Sequence, residues 1–219
     1  MIDFNKLVSN FLHKEIREKQ TGRYYPSEAG NCIRKVWFSY KIPKETHDEL
    51  MKIFEVGNMF HDFVVDVIKS EKNPDVELLE SEMPLQLQLD DVVISGRVDD
   101  IILLKVSGEK IIVEVKSTSS LEYAKPSESY VMQLQLYMHS LKVNKGMILF
   151  IEKNTMQCKW FNFSYNKDIV NKAIERIKKL HEYLVKNKMP EPEARARAEM
   201  SWMCKKCNYK EECEKDLEN

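Results

Sequence analysis

The sequence predicts an α/β fold in which a central mixed sheet is flanked by helices. A helical stripe of apolar residues runs from 48 to 69, two strand-length apolar runs follow between 92 and 120, and two more lie between 145 and 165. Six Gly and seven Pro in 219 residues are few, which favours compact elements joined by short loops. A hydrophobic content of 43% is enough for one core, so we expect a single domain.

The predicted order of elements is two helices, a long helix, two or three strands, a helix, two strands, a helix and a cysteine-rich tail. The long helix has one apolar face, formed by Leu50, Ile53, Phe54, Phe60, Phe63, Val64 and Val67. His61 lies at the edge of this face. From the residues alone, His61 is either a packed, semi-buried histidine or a ligand.

Charged residues interrupt the two strands VVISGRVDDIILL and IIVEVKSTSS, which the short connection KVSGEK should pair as an antiparallel hairpin. Alternation puts Glu114 and Lys116 on one side of their strand, and the pairing brings Asp99 close to Glu114. Neighbouring carboxylates repel unless a proton or a cation lies between them. The pattern indicates a magnesium or manganese site; structural ion pairs, through Arg97 or Lys105 for example, are the alternative.

The downstream segments complete the predicted sheet and its flanking helices. Residues 126–142 begin with a proline suited to a first helical turn, and Gln133 and Tyr137, four apart, share one face of that helix. Tyr137 is equally explained by packing. The segments KGMILFIEK and QCKWFNFSY predict two strands separated by an Asn-Thr turn.

Charge is unevenly distributed although the net charge is only −1. Residues 1–44 hold nine Lys or Arg against four Asp or Glu, whereas residues 45–114 hold six against seventeen. A basic N-terminal part could bind phosphates, and an acidic central part could bind metal ions. Solvent-exposed helix faces that differ in the sign of their charge explain the pattern equally well. The sequence contains no phosphate-loop motif, so we predict no motor activity that unwinds a duplex. Neither a membrane span nor a signal peptide is predicted, so we expect a cytoplasmic protein.

The tail WMCKKCNYKEEC places Cys204, Cys207 and Cys213 at a C-x2-C-x5-C spacing that lacks only a fourth thiolate for a metal site. Cys158 lies in a predicted strand, where a buried thiol is expected. Cys32 lies in a loop before a helix, so we predict that Cys32 is the fourth ligand. Four thiolates can hold zinc or an iron–sulfur cluster.

Four motifs together resemble those of the RecB-like branch of the PD-(D/E)XK nucleases. They are Gly57-Asn58-Met59-Phe60-His61, Gly96-Arg97-Val98-Asp99, Glu114-Val115-Lys116 and Gln133-Leu134-Gln135-Leu136-Tyr137. The match in order and spacing extends from about residue 27 to 213. With one early cysteine and three near the C-terminus, the sequence is most similar to the small CRISPR-associated exonuclease family called Cas-four.

The resemblance implies a restriction-endonuclease-like core and a metal-dependent DNA exonuclease that uses Mg²⁺ or Mn²⁺. It implies metal ligands at His61, Asp99, Glu114 and the Val115 carbonyl, a catalytic Lys116, and a substrate- or water-orienting Gln133 and Tyr137. It also implies a [4Fe–4S] cluster on Cys32, Cys204, Cys207 and Cys213, with Zn²⁺ as the alternative. The substrate would be single-stranded DNA or overhangs, trimmed before a CRISPR adaptation integrase inserts the fragment.

Within residues 1–219 we expect a basic helical part (1–45), a nuclease core (46–190) and a cysteine segment (191–219). The alternatives are a free-standing repair or viral exonuclease and a non-catalytic, iron–sulfur DNA-binding module, and RNA is a further candidate substrate. The stretch TGRYYPSEAG, with Arg23, Tyr24 and Tyr25, either grips single-stranded DNA or packs against the cluster.

Overall fold

The computed structural model describes residues 1–16, 18–205 and 207–215, and its centre is a six-stranded mixed sheet. The strands are β1 (Arg23–Tyr24), β2 (Val76–Leu89), β3 (Val92–Leu104), β4 (Glu109–Thr118), β5 (Lys145–Glu152) and β6 (Cys158–Ser164). The helices are α1 (Phe4–Leu12), α2 (Ile33–Lys41), α3 (Asp48–Lys69), α4 (Glu128–Leu141), α5 (Lys167–Val185), α6 (Glu193–Ala196), α7 (Trp202–Lys205) and α8 (Lys210–Lys215). Short 3-10 helices cover Pro26–Glu28 and Ala198–Met200.

The strand order is β1-β3-β4-β5-β6, and β2 also pairs with β3. The β2/β3, β3/β4 and β5/β6 pairs are antiparallel, whereas β1/β3 and β4/β5 are parallel. The predicted α/β class, the mixed sheet and the β3–β4 hairpin are therefore confirmed. The predicted long helix has the bounds of α3.

One face of the sheet is covered by α2, α4 and α5, which pack on β3, β4 and β5. The central part of α4 is almost wholly buried, so its polar residues need partners inside the protein. Gly146 on β5 lets α4 approach closely, since an added Cβ would lie 2.8 Å from Met138 Sδ and 3.0 Å from Leu134. This packing presents the polar face of α4 to β4.

The opposite face is covered by α3 over part of its area only. Phe60, Val64 and Ile68 of α3 pack against an apolar patch of the sheet that comprises Ile102, Ile111, Val113, Val115 and Ile151. This contact places His61, one residue from Phe60, beside the polar middle of β3. The β3 residues that pack in this patch with α3, Ile102 and Leu104, follow the two aspartates.

Strand β3 is irregular at its two aspartates. Val98 and Ile101, three residues apart, pack in the same core, which a regularly alternating strand would not allow. On β2, Glu82 adopts φ 49° between the pairs Ser81–Asp100 and Met83–Val98. The β3–β4 pairing ends at Asp100 and Val113. Beyond this pair the strands separate, and we call the gap between them the fork.

Three expectations need correction. The helix predicted to begin at Pro126 begins at Glu128, because the Ser127 side chain caps it by accepting a bond from the Tyr130 backbone N–H. Cys158 is exposed at the start of β6, not buried.

The third difference is an additional element: the short strand β1 lies within TGRYYPSEAG, where the sequence predicted no strand. Among the described residues, we find no helix both long and apolar enough to cross a bilayer.

Candidate active site

The fork brings together side chains from α3, β3, β4 and α4. Asp100 and Glu114 are both fully buried. Asp100 Oδ2 lies 3.1 Å from His61 Nε2, which joins the long helix to the sheet. A buried carboxylate requires charged or hydrogen-bonding partners, so this pair marks the site as polar and constrained.

Two residues bond directly to Glu114, and a third supports one of them. Its Oε1 accepts bonds from Lys116 Nζ at 2.5 Å and from Gln133 Nε2 at 2.7 Å. Gln133 Nε2 also lies 2.9 Å from the hydroxyl oxygen of Tyr137. The two residues of α4 therefore form a chain that ends on the Glu114 carboxylate.

One oxygen of each buried carboxylate has no hydrogen-bond partner among the described residues: Asp100 Oδ1 and Glu114 Oε2. Such buried acceptors are destabilising unless a ligand satisfies them. Oxygen atoms of this type are the ligands that Mg²⁺ and Mn²⁺ prefer. The donor set fits a divalent metal, although no group of three or more His, Cys, Asp or Glu in the described ranges is already assembled as a metal site.

Asp99, a predicted metal ligand, contacts the backbone of β4. Its Oδ2 accepts a bond from the Val115 N–H at 3.0 Å. The N–H and C=O of one residue in an extended strand point to the same edge, so the Val115 carbonyl also faces the fork. Asp99 therefore anchors β4 where β3 and β4 no longer pair.

The site shifts the pKa values of its titratable groups. The hydrogen bond to Asp100 raises the pKa of His61 to about 9, despite partial burial. Burial raises the pKa of Glu114 to about 7 and also raises the pKa of Asp99. Burial lowers the pKa of Lys116, but Glu114 and Asp99 outweigh it and leave that pKa raised. The metal-free site therefore favours an ammonium at Lys116 and a protonated His61.

Two residues of the site were not predicted. The G-x-x-D motif assigned the metal ligand to Asp99, and the adjacent Asp100 was the available signal. Tyr130 lies with its ring centroid 5.0 Å from Lys116 Nζ, a cation–π distance. Its position three residues before Gln133, on the same helical face, was the signal for it.

The four predicted cluster ligands line one pocket at the C-terminal segment: Cys32, Cys204, Cys207 and Cys213. The basic residues Arg34, Lys35, Arg195 and Lys210 line the same pocket. Burial and the other three thiols raise the pKa of Cys204. Arg34 donates to Pro190 O at 2.5 Å and approaches Cys213 Sγ at 3.9 Å. Four thiols that line one pocket are a donor set that fits zinc or an iron–sulfur cluster.

An arginine clamp holds the loop that carries Cys32. Arg176 of α5 donates to Ala29 O at 2.6 Å and to Asn31 O at 2.7 Å, and it pairs with Glu193 at 2.8 Å. Glu193 in turn accepts a bond from the Ile33 N–H at 2.7 Å. The backbone on both sides of Cys32 is thus tied to α5 and α6. Lys206 and residues 216–219 of the predicted cysteine segment lie outside the described residues.

Comparison with known proteins supports a nuclease fold. A family model for the PD-(D/E)XK nuclease superfamily matches residues 26–214. The crystal structure of SSO0001 superposes with a TM-score of 0.61 at 20% identity, covering 94% of this chain and 90% of that one. An alkaline exonuclease from Laribacter hongkongensis, LHK-Exo, gives 0.54 at 10% identity, covering 76% and 90%. A phage-related exonuclease from Haemophilus somnus gives 0.51 at 12% identity, covering 84% and 99%. No curated protein matches significantly.

Proposed function

The chain belongs to the PD-(D/E)XK nuclease superfamily, and we propose that it is a metal-dependent DNA exonuclease that acts on single strands or overhangs. This proposal is carried by the convergence of His61, Asp100, Glu114 and Lys116 at the fork, where two buried carboxylate oxygens have no partner in the described part of the chain. Two solved structures of similar fold are named exonucleases, which agrees with the proposed reaction.

The residues suited to hold Mg²⁺ or Mn²⁺ are Asp100, Glu114, His61 and the Val115 carbonyl, with Asp99 beside them. His61 must lose its proton to act as a ligand, because only the neutral ring has a lone pair to donate. Bound at these residues, the metal would lower the pKa of a water molecule and polarise the phosphate. Asp99 keeps the Val115 carbonyl facing the site through its bond to the same residue.

Lys116 supplies fixed positive charge to the reaction. Its raised pKa keeps Nζ protonated at neutral pH, so it stabilises the negative charge that develops on the phosphate rather than accepting a proton. Tyr130 covers the ammonium on one side and limits its movement. This is the role that the family resemblance implies for Lys116.

Gln133 and Tyr137 act by orienting Glu114. Gln133 occupies one lone pair of Glu114 Oε1 and leaves Oε2 directed elsewhere. Tyr137 is almost fully buried and holds the Gln133 amide through its hydroxyl oxygen. Rigid support of this kind preserves ligand geometry during turnover.

The cysteine pocket is proposed to hold a [4Fe–4S] cluster, with Zn²⁺ as the alternative. The pocket supplies four thiols within a basic surround, and the motif resemblance favours iron and sulfide. The cluster would connect Cys32 with the C-terminal segment, so its binding would contribute to folding stability. Iron, sulfide and zinc analysis of anaerobically purified protein distinguishes the two cofactors.

A more specific form of the proposal is the trimming of DNA fragments before their integration into a CRISPR array, with the adaptation integrase as partner. The order of the cysteine, histidine, G-x-x-D, E-x-K and Q-x-x-x-Y motifs supports it. A gene located beside integrase genes would agree with this role. A gene located among repair or phage genes would favour the free-standing exonuclease.

The first experiment uses anaerobically purified protein with 5′- or 3′-labelled single-stranded DNA, with and without Mg²⁺ or Mn²⁺. We expect metal-dependent laddering that Lys116→Ala abolishes while the melting temperature is retained. Full activity in that variant would exclude the assigned site. DNA binding by the wild-type protein without any cleavage would favour the non-catalytic module.

A further inference from the structure

An open cleft lies on the sheet beside the fork. Its volume is about 660 Å³, and residues of three adjacent strands and the segment after β1 line it: Arg23, Tyr25, Pro84, Leu85, Gln86, Ser95, Gly96 and Arg97. The cleft is separate from the cysteine pocket, and none of its residues was assigned a role in the proposed reaction.

Gly96 determines how closely the segment after β1 approaches the sheet. A Cβ added at Gly96 would lie 2.9 Å from Pro26 Cδ, so any other residue would push the 3-10 helix away. The absence of a side chain lets Tyr25, which directly precedes Pro26, lie at the rim of the cleft. The Tyr25 backbone N–H donates to Glu28 Oε2 at 3.0 Å, which holds this turn in place.

The cleft combines an oriented cation with an exposed aromatic ring. Arg23 Nε donates to Ser95 Oγ at 2.8 Å, a neutral partner that positions the guanidinium without cancelling its charge. Tyr25 is 40% exposed. By contrast, Tyr24 is fully buried and its hydroxyl contacts His181 Nδ1 at 2.8 Å. Arginine and aromatic side chains together are typical of sites that grip the backbone and stack the bases of single-stranded nucleic acid.

The cleft leads along β3 toward the fork. Ser95 and Arg97 lie on the same side of the strand, and Asp99 follows two residues later, where the irregularity begins. At about 3.3 Å per residue, Gly96 and Asp99 are roughly 10 Å apart along β3. A strand lying in the cleft would therefore reach the carboxylates within a short distance. Arg97, paired with Glu82 at 3.0 Å, lies at the exposed rim.

We propose that this cleft binds single-stranded DNA next to the cleavage site, with Tyr25 stacking on a base and Arg23 contacting a phosphate. The proposal rests on the proposed nuclease function, since it identifies the path by which substrate enters the fork. Tyr25 and Arg23 are positioning residues in this scheme, because neither lies among the reacting groups.

The test measures DNA binding without cleavage. A fluorescent single-stranded oligonucleotide carrying 2-aminopurine is titrated in buffer without divalent metal, at several salt concentrations. We expect Tyr25→Ala to weaken binding at least about fivefold and to abolish the 2-aminopurine quenching, whereas Tyr25→Phe retains both, because the ring stacks. Arg23→Gln should reduce the slope of log K against log salt by about 0.7, as loss of one phosphate contact predicts.

Lys105→Gln provides the matched control. Lys105 is an exposed cation that follows the far end of β3, where it pairs with Glu77 at 3.8 Å. Its loss should change the dissociation constant less than about twofold, although it alters the net charge as much as Arg23→Gln does.

Wild-type binding by both Tyr25→Ala and Arg23→Gln would overturn the proposal, as would tighter binding of an RNA of the same sequence. The binding test is independent of the nuclease assay. Loss of binding in these variants, combined with a wild-type protein that never cleaves, would support the cleft and contradict the nuclease function. Metal-dependent cleavage by the wild-type protein, with unchanged DNA binding by both variants, would support the nuclease function and contradict the cleft.

Discussion

Asp99 and Asp100 are neighbours in sequence but make different contacts. Asp99 accepts a bond from the β4 backbone, whereas Asp100 is fully buried and contacts His61. The irregularity in β3 explains the difference, because it ends regular alternation at these two residues. Of the two aspartates, Asp100 has the buried oxygen without a partner among the described residues, Oδ1, which a metal could satisfy. Asp99 instead uses its Oδ2 to hold β4 in place.

Substitution of the two aspartates should separate these roles. We expect Asp100→Asn to lower cleavage at least about 100-fold and to weaken Mn²⁺ binding, since it removes charge from a ligand. Asp99→Asn should retain more activity, because its amide oxygen can still accept from Val115 N–H. Label-release kinetics and Mn²⁺ titration measure both effects. Greater loss in the Asp99 variant would assign the primary ligand to Asp99 instead.

His61 gives the metal-free protein a defined pH dependence. Its pKa rises from 6.5 to about 9 on folding, so the folded protein binds the proton more tightly than the unfolded chain. The stabilisation is complete below about pH 6.5 and is lost as pH rises through 9, and it amounts to about 3 kcal/mol at most. Folding also raises the pKa of Glu114, from 4.5 to about 7. Its contribution to stability is therefore lost as pH rises from about 4.5 through 7.

We expect the melting temperature of the metal-free protein to fall between pH 6.5 and 9. His61→Gln should flatten this decline, because Gln does not titrate. Added Mn²⁺ should raise the melting temperature more at pH 9 than at pH 6.5, since metal and proton compete for the same ring. A wild-type protein whose stability is constant over this range would contradict the His61–Asp100 pairing.

At the scale of elements, the loop before α2 connects the cysteine pocket with the active-site helix. A Cβ added at Gly30 would lie 2.2 Å from Ser129 Cα, so the loop packs directly on the first turn of α4. The Arg176–Glu193 clamp holds the same loop from the other side. The position of Cys32 is thus set by α5, α6 and α4 together.

Arg176→Gln should therefore lower cofactor retention. It removes the cation from the Glu193 pair and most of the bonds that hold the carbonyls of Ala29 and Asn31. We expect iron and sulfide content per chain, or zinc content, to fall by at least about half after aerobic dialysis. Lys172→Gln on the same helix is the control, because its ion pair with Glu128 lies at the surface. Equal loss in both variants would contradict a specific role for the clamp.

At the scale of the whole molecule, the cysteine pocket joins distant parts of the chain. Cys32 precedes α2, while Cys204, Cys207 and Cys213 belong to the last described segment, which packs on Cys32 through Ala194, Met200 and Met203. This apolar contact is small. A cofactor on the four thiols would supply much of the free energy that holds the segment in place.

Cys213→Ser should lower the melting temperature by at least about 5 °C and reduce cofactor content. Cys158→Ser is the matched control, because Cys158 is exposed on β6 and lies outside the pocket. We expect the control to melt like the wild type. A Cys213 variant with unchanged melting and no bound metal would show that the segment folds without a cofactor.

The sequence by itself determined the α/β class, the order of the elements other than β1, the bounds of α3 and the β3–β4 hairpin, because these follow from local periodicity and turn chemistry. It also identified Glu114, Lys116, Gln133 and Tyr137, which the structure brings into contact. The resemblance to the G-x-x-D motif assigned the metal-binding aspartate to Asp99, and the local pattern predicted a buried Cys158.

Only the tertiary structure decided which aspartate faces His61, which residues line the cleft and which cysteines share a pocket. Each depends on contacts between residues far apart in the chain: Asp100 with α3, Arg23 with Ser95, and Cys32 with the C-terminal segment. A periodic pattern specifies the face on which a side chain lies only while the strand remains regular. The irregularity at Asp99 and Asp100 lies opposite Glu82 of β2, which adopts a left-handed conformation, and close to the register shift between Leu78 and Glu80. It is therefore a property of two paired strands and not of one local pattern.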